Sequence, residues 1–208
     1  SSLRLQLQLI LRRSRKDPDL DPALEAKVVG ASRQVDKLAR LVVQLLDVTR
    51  LQAGREMELE REALDLRALA EEIVARFEED AEQAGSPLRL RAPAAVEGRW
   101  DRLRLDQVLT NLLTNALKFG EGKPIDVEVG REDGAALLAV RDRGIGIAPG
   151  DQERIFERFE RTGEVKSIHG MGLGLYIVRR IVEAHGGEIR VESALGEGAT
   201  FQVALPPS

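Results

Sequence analysis

The 208-residue chain contains no cysteine. That excludes disulfide cross-links, thiolate metal sites and a cysteine nucleophile, and leaves the compartment open. Histidine occurs only twice, too seldom for a histidine-based zinc site without carboxylate help. Aromatic residues make up 3%, so any core must be built mainly of Leu, Val, Ile and Ala. No run of about 18 apolar residues occurs, so nothing reads as a membrane-spanning helix, and no signal-peptide pattern is visible.

What is present is 43% hydrophobic and 32% charged residues, the balance of a folded globular protein rather than a disordered one. The length suits one ordinary domain with an added element, or two small domains. The net charge of −4 is unevenly spread: residues 1–55 carry 11 Lys and Arg against 6 Asp and Glu, and residues 56–208 carry 20 against 29. An acidic major part argues against general nucleic-acid binding, which needs a basic face. The asymmetry places a boundary near Gly54-Arg55.

The first segment reads as a helical hairpin. Leu3, Leu5, Leu7 and Leu9 alternate as in a strand, whereas Leu3, Leu7 and Ile10 fit a helix, and the period does not decide between them. After a polar break, Asp21 is a natural N-cap with Pro22 at the first helical position. Leu24, Val28, Ala31, Val35, Leu38, Val42 and Leu45 then recur at alternating spacings of 4 and 3, a heptad-like stripe, and Gly54 is a plausible stop. Two such helices cannot bury both stripes alone. Either the arm folds onto its own domain, or it is half of a dimeric four-helix bundle.

The second segment alternates strands and helices. Short strands are predicted at Met57 to Glu60, Leu88 to Leu90 and Val96 to Trp100. An amphipathic helix runs from Leu66 to Gln83 with Asp65 as its cap, and a second spans Asp101 to Phe119. Ile125 to Gly130 and Ala135 to Arg141 flank Glu132-Asp133-Gly134, a hairpin signal. A short helix near Gln152 to Phe156, a helix from Gly172 to Ala184 and a closing hairpin of Glu188 to Val191 with Thr200 to Leu205 complete the pattern. The fold class is therefore α+β: an N-terminal antiparallel helical hairpin, then an α/β sandwich with a mixed sheet and helices on one face.

Three constellations carry chemistry. On the helix ending at Phe119, Gln107, Asn111, Asn115 and Lys118 are spaced 4, 4 and 3 and share one stripe. That stripe is either a solvated face, or amide oxygens offered to a hard cation with a lysine for phosphate. Asp142-Arg143-Gly144-Ile145-Gly146-Ile147 follows a strand directly. It is either a capped turn or a loop whose glycines admit a ligand, with Asp142 accepting from an exocyclic amine. Adenine presents a donor there and guanine a carbonyl, so a carboxylate favours adenine. Gly170-Met171-Gly172-Leu173-Gly174-Leu175 opens a helix, where free N–H groups and the dipole make an anion cradle. It lacks both the Rossmann spacing and the P-loop lysine.

Order and spacing together resemble the bacterial sensor histidine kinases. Asp106 to Phe119 resembles their N box, Asp142 to Ile147 the first glycine box, and Ile155-Phe156-Glu157-Arg158-Phe159 the F box. Gly170 to Leu175 is similar to the second glycine box, and Gly196 to Phe201 to the final Gly/Thr motif. The stretch from Val35 through Gly54 resembles the second helix of the dimerisation and phosphotransfer domain.

The resemblance implies a partial dimerisation and phosphotransfer hairpin over residues 1–55 and an ATP-binding Bergerat-type (GHKL) catalytic domain over 56–208. It implies ATP and Mg²⁺ as cofactors, with the γ-phosphoryl group passed to a histidine and then to a response-regulator aspartate. Asn115 would be the Mg²⁺ ligand, Asn111 would support the phosphate side, Lys118 would reach the phosphates and Phe119 would lie against base or ribose. Asp142 would read the adenine amine, with Gly144, Gly146 and Ile147 shaping its loop and Thr200 behind it. Gly170, Gly172, Leu173 and Gly174 would form the phosphate lid, and a polar stretch from Glu160 to His169 a mobile cover. Arg161 would match the phosphate-contacting arginine, although the family usually carries an aromatic where Glu160 stands. Hydrolytic relatives carry a glutamate at position 111; a neutral amide cannot deprotonate water, so hydrolysis is expected to be slow.

Implied partners are a second copy through the hairpin and a response-regulator receiver domain, suited to the basic charge of residues 1–55, with no nucleic acid. The implied location is cytoplasmic, as part of an inner-membrane sensor that reaches the membrane only through upstream segments. The chain begins just after the position of the H box, and neither His169 nor His185 lies on the first helix. The expectation is ATP binding without autophosphorylation by this chain alone, and a His-Glu pair a few positions before Ser1. The rival readings are a non-catalytic ATP-sensing dimer or docking module and an anti-sigma-type protein kinase.

Overall fold

A computed structural model describes residues 57–160 and 172–206, together with Gly30, Ala31 and Val35. The chain divides into two compact units, Ser1–Arg55 and Glu56–Ser208. In the first, the three described residues are helical, with Ala31 exposed and Val35 half-buried. The rest of the proposed hairpin lies outside the described residues.

The second unit is an α+β sandwich. Its elements are β1 (Glu62–Asp65), α1 (Leu66–Ala84), β2 (Leu88–Arg91), β3 (Glu97–Trp100), α2 (Arg102–Phe119), β4 (Ile125–Glu132) and β5 (Ala135–Arg141). Two 3₁₀ turns follow, Pro149–Asp151 and Arg154–Phe156, then α3 (Gly174–Ala184), β6 (Glu188–Ala194) and β7 (Gly198–Leu205). The main sheet has the order β2-β4-β5-β7-β6; β2 lies parallel to β4 and every other pair is antiparallel. β1 and β3 form a separate antiparallel pair.

Strand alternation builds one buried face. Val127, Val140 and Phe201 stand opposite one another across β4, β5 and β7, as do Val129, Leu138 and Val203, and all six are buried. The helices pack on this face with their own apolar stripes, Leu69, Ile73, Leu105, Leu109, Leu112, Ile177 and Ile181 among them. Asp65 caps α1 by accepting from the Arg67 N–H at 3.0 Å, and Asp101 caps α2 by accepting from the Arg104 N–H at 3.0 Å.

Three sequence expectations are corrected. Residues 57–60 form no strand: the Glu60 N–H, which a ladder would need, donates instead to Asp101 Oδ2 at 3.0 Å, and pairing starts at Glu62 opposite Trp100. The stretch Gln152 to Phe156 is not one helix, because two 3₁₀ turns follow the Ala148-Pro149 break. α3 starts at Gly174, two residues later than predicted, with Leu173 as its N-cap.

His185 is structural. It is 1% exposed; Nε2 accepts the Asp101 N–H at 3.1 Å, and Nδ1 faces the Ile181 carbonyl at 2.8 Å, which makes Nδ1 the protonated nitrogen. The ring therefore joins the last turn of α3 to the cap of α2, and Arg61 adds a bond from Nη2 to the Ala184 carbonyl at 3.2 Å. Burial lowers the His185 pKa below its ordinary value, and the nearby Arg61 charge acts the same way. The unfolded chain then binds more protons than the folded one, so this contribution is complete above the ordinary histidine range and is lost as pH falls through it. Urea denaturation of His185→Gln should show a flatter loss of stability from neutral to mildly acidic pH than the parent. His185→Ala should cost about 1–3 kcal/mol for each buried partner it orphans.

Candidate functional site

A cleft opens between α2, the loop after β5 and the strand β7. From α2 it takes Asn115 and Phe119; from the loop, Asp142, Ile145, Gly146 and Ile147. Ile155, Leu175, Ala199 and Phe201 complete its walls. Phe156 stands edge-on to Phe201 behind the wall, with centroids 6.3 Å apart. The space is thus apolar on its sides, with one carboxyl and one carboxamide as its polar groups.

Asp142 follows the last residue of β5 and is 6% exposed. Its N–H donates to the Ala199 carbonyl and its Oδ1 accepts the Gly144 N–H, both at 2.9 Å. Burial pushes the carboxyl above the usual aspartate range; the N–H groups of Gly144, Ala199 and Asp142 itself, and the Lys123 charge, pull the other way.

The loop geometry depends on its glycines. A Cβ on Gly144 would lie 1.8 Å from the Phe119 carbonyl oxygen, and one on Gly146 1.9 Å from that of Ala194. Gly146 also has φ +69°, in the left-handed region. The close approach anticipated from sequence is therefore to the chain's own backbone: Gly144 lets the loop sit on the end of α2, and Gly146 lets it sit on the end of β6. Gly146 borders the cleft as well, whereas Gly144 does not.

The polar stripe of α2 is half-buried rather than solvated. Gln107 receives a bond from Arg104 Nη1 at 3.0 Å and stands apart from the cleft. One turn on, the Asn111 Oδ1 lies 3.3 Å from where a Cβ on Gly174 would stand, so this amide faces the first turn of α3. That turn has no side-chain cap; its first helical bond runs from the Ile177 N–H to the Leu173 carbonyl at 3.0 Å. The preceding amides of Gly174, Leu175 and Tyr176 lie outside the helical ladder and point along the positive end of the helix. The Lys118 ammonium sits 4.7 Å from the Phe119 ring centroid, beside the cleft.

Asn115, Phe119, Asp142, Gly146 and Ile147 thus meet in one cleft, with Asn111, Lys118 and Gly174 on its α2–α3 side. Thr200 is elsewhere: its β7 neighbours Ala199 and Phe201 line the cleft, and strand alternation turns Thr200 to the other face, opposite Arg141. Gly172 and Leu173 lead into α3; Gly172 accepts the Phe159 N–H at 3.0 Å. Arg161, Gly170 and His169, with the proposed cover beyond Glu160, lie outside the described residues. Sequence reasoning did not single out the apolar walls Ile145, Ile155, Leu175, Ala199 and Phe201, although all five fall inside the motifs named above. Nothing in an Ile or Phe distinguishes a ligand wall from a core position.

Residues 100–208 match the family described as histidine kinase-, DNA gyrase B-, and HSP90-like ATPase. The chain is 37% identical over 176 residues to the sensor-like histidine kinase SenX3 of Mycobacterium tuberculosis, covering 83% of this chain and 43% of SenX3. It is 34% identical over 191 residues to the sensor histidine kinase MtrB of the same organism, covering 90% of this chain and 34% of MtrB. The crystal structure of full-length ShkA in complex with AMPPNP matches with a TM-score of 0.74 at 30% identity, over 99% of this chain and 44% of ShkA. The chain therefore spans less than half the length of these curated relatives.

Proposed function

This chain belongs to the family of histidine kinase-, DNA gyrase B- and HSP90-like ATPases, and from that premise we propose that it is the catalytic core of a sensor histidine kinase. It binds ATP with Mg²⁺ and transfers the γ-phosphoryl group to a histidine nitrogen, from which a response-regulator aspartate takes it. The observation that carries this reading is a buried carboxyl inside an apolar slot, with carboxamides one helical turn apart on α2.

The residues suit the cofactor. The slot has flat apolar walls for a purine and one acceptor, Asp142, for its amine. Asn115 would hold Mg²⁺ through its amide oxygen, a hard donor for a hard cation. Asn111, Lys118 and the uncapped amides of α3 would hold the phosphates, and Gly172, Leu173 and Gly174 would shape that end. Gly170 and Arg161 are carried as further contacts on the sequence resemblance alone. Bound Mg²⁺ supplies neutralisation of phosphate charge during in-line transfer. Asn111 offers no base for water, which keeps the phosphoryl group for a protein acceptor. An acidic unit holds a polyanion here because the local field of Lys118 and the helix terminus decides, not the net charge.

Residues 1–55 would form a homodimeric bundle and dock the acidic receiver domain of a response regulator. No helix among the described residues is long and apolar enough to cross a membrane; we place this portion in the cytoplasm.

Titration calorimetry with MgATP tests the reading directly, and absence of a binding heat defeats it. Supplied with a histidine-bearing helical hairpin and [γ-³²P]ATP, the chain should yield acid-labile, base-stable label; acid-stable label on a partner would point to a serine kinase instead. Asn115→Ala should remove the part of ATP affinity that Mg²⁺ adds, tenfold or more, and leave adenosine binding unchanged. Persistence of the Mg²⁺ enhancement in that variant would dismiss Asn115 as the ligand.

A further inference from the structure

The loop that carries Asp142 is fastened at both ends to the β6–β7 hairpin. At its start, the Asp142 N–H donates to the Ala199 carbonyl at 2.9 Å. At its far end, the Ile147 N–H donates to Ser193 Oγ at 2.8 Å. The Ser193 hydroxyl spends its own hydrogen on the Gly198 carbonyl at 2.6 Å, so its lone pair is aimed at Ile147. Between these points the Gly196 N–H reaches the Ile145 carbonyl at 2.8 Å. Gln152 adds a bond from Nε2 to the Ser193 carbonyl at 2.8 Å.

These bonds matter because of what the loop presents. Asp142 supplies the polar contact for a purine, and Ile145 and Ile147 supply the apolar wall. The distance between carboxyl and wall sets which purine fits. The start of the loop is held backbone to backbone, which no side-chain change removes. The end near Ile147 is held by side chains: the Ser193 hydroxyl at 2.8 Å, and a longer bond from Gln152 Nε2 to the Ile147 carbonyl at 3.5 Å.

We propose that Ser193 is a positioning residue for purine recognition: its hydroxyl fixes the Ile147 wall relative to the Asp142 carboxyl, and so sets both nucleotide affinity and the preference for adenine over guanine. Ser193 touches no ligand atom; it acts through Ile147. The inference rests on the nucleotide-binding reading above.

The test uses the full chain. Parent protein is first titrated with MgATP and MgGTP by calorimetry; a parent that binds neither defeats the functional reading and the inference with it. Given a binding parent, Ser193→Ala should weaken ATP about tenfold and GTP less, so that the ATP:GTP ratio falls. Its melting temperature without nucleotide should stay within a few degrees of the parent. Ser193→Thr, which keeps the hydroxyl on a residue suited to a strand, should restore the ratio. Gln152→Ala, which removes the brace on the Ser193 carbonyl and the longer bond to the Ile147 carbonyl, should shift the ratio in the same direction by a smaller factor. An unchanged ratio in Ser193→Ala, whether affinity is retained or merely tracks the folded fraction, overturns the proposal and leaves the functional reading intact.

Discussion

Asp142→Asn should reduce adenine-nucleotide affinity by one to two orders of magnitude and leave the domain folded. A hydrogen bond to a charged group contributes about 1.5–3 kcal/mol. An asparagine replaces the acceptor pair by one oxygen and one amine, which opposes the amine of adenine. The folded state should not suffer. Oδ1 of asparagine can still accept the Gly144 N–H that Asp142 accepts at 2.9 Å. Burial raises the Asp142 pKa. A carboxyl with a raised folded-state pKa contributes stability below its unfolded pKa and loses it as pH rises through the folded value, so at neutral pH the buried charge is a cost that the amide removes. Thermal melts should give an apo midpoint equal to or above that of the parent, with no upward shift on adding MgATP. The same raised pKa gives the parent a nucleotide affinity that weakens as mild acid protonates the carboxyl, and the variant should lack that dependence. Parent-like ATP affinity in Asp142→Asn would remove Asp142 from the site.

Gly146→Ala should be the most damaging single methyl in the cleft. At φ +69° an L-residue is held in a costly region, and its Cβ would stand 1.9 Å from the Ala194 carbonyl oxygen. Left-handed strain and overpacking together come to roughly 3 kcal/mol or more. The clash is with backbone, so no side chain can rotate away to relieve it. The loop must lift off β6, taking Ile145 and Ile147 with it. Urea denaturation should show the loss of stability, and calorimetry the loss of nucleotide binding. Gly150→Ala is the control: nothing lies within 4 Å of its Cβ and its φ is not positive, so it should be close to neutral. A Gly146→Ala variant as stable as Gly150→Ala would refute the packing described for the loop.

Much of this architecture is legible in the chain because its boundaries are set locally. Asp65 and Asp101 stand immediately before long apolar periodicities, and both prove to be N-caps. The Asp133-Gly134 pair likewise marks the turn between β4 and β5. Where a distant partner decides, sequence reasoning fails. Met57 to Glu60 alternates like a strand, but a carboxylate on another element takes its N–H group. The polar lining of the cleft is legible for a similar reason: Asn115 stands out by residue type and helical spacing, and Asp142 by its place between a strand and a glycine-rich loop. Its apolar half is not, because Ile155 or Leu175 could as well serve a core. Thr200 shows the sensitivity of a pleat to parity, since a shift of one residue separates the cleft-lining Ala199 from a side chain on the opposite face.

The bonds made by Glu60 and Arg61 have a mechanical meaning. They grasp the cap of α2 and the last turn of α3, where His185 already bolts the two helices together. The same two helices meet again where Asn111, midway along α2, faces Gly174 at the start of α3. Through these bonds a displacement of the polypeptide at residue 60 is carried onto the helix pair that borders the cleft.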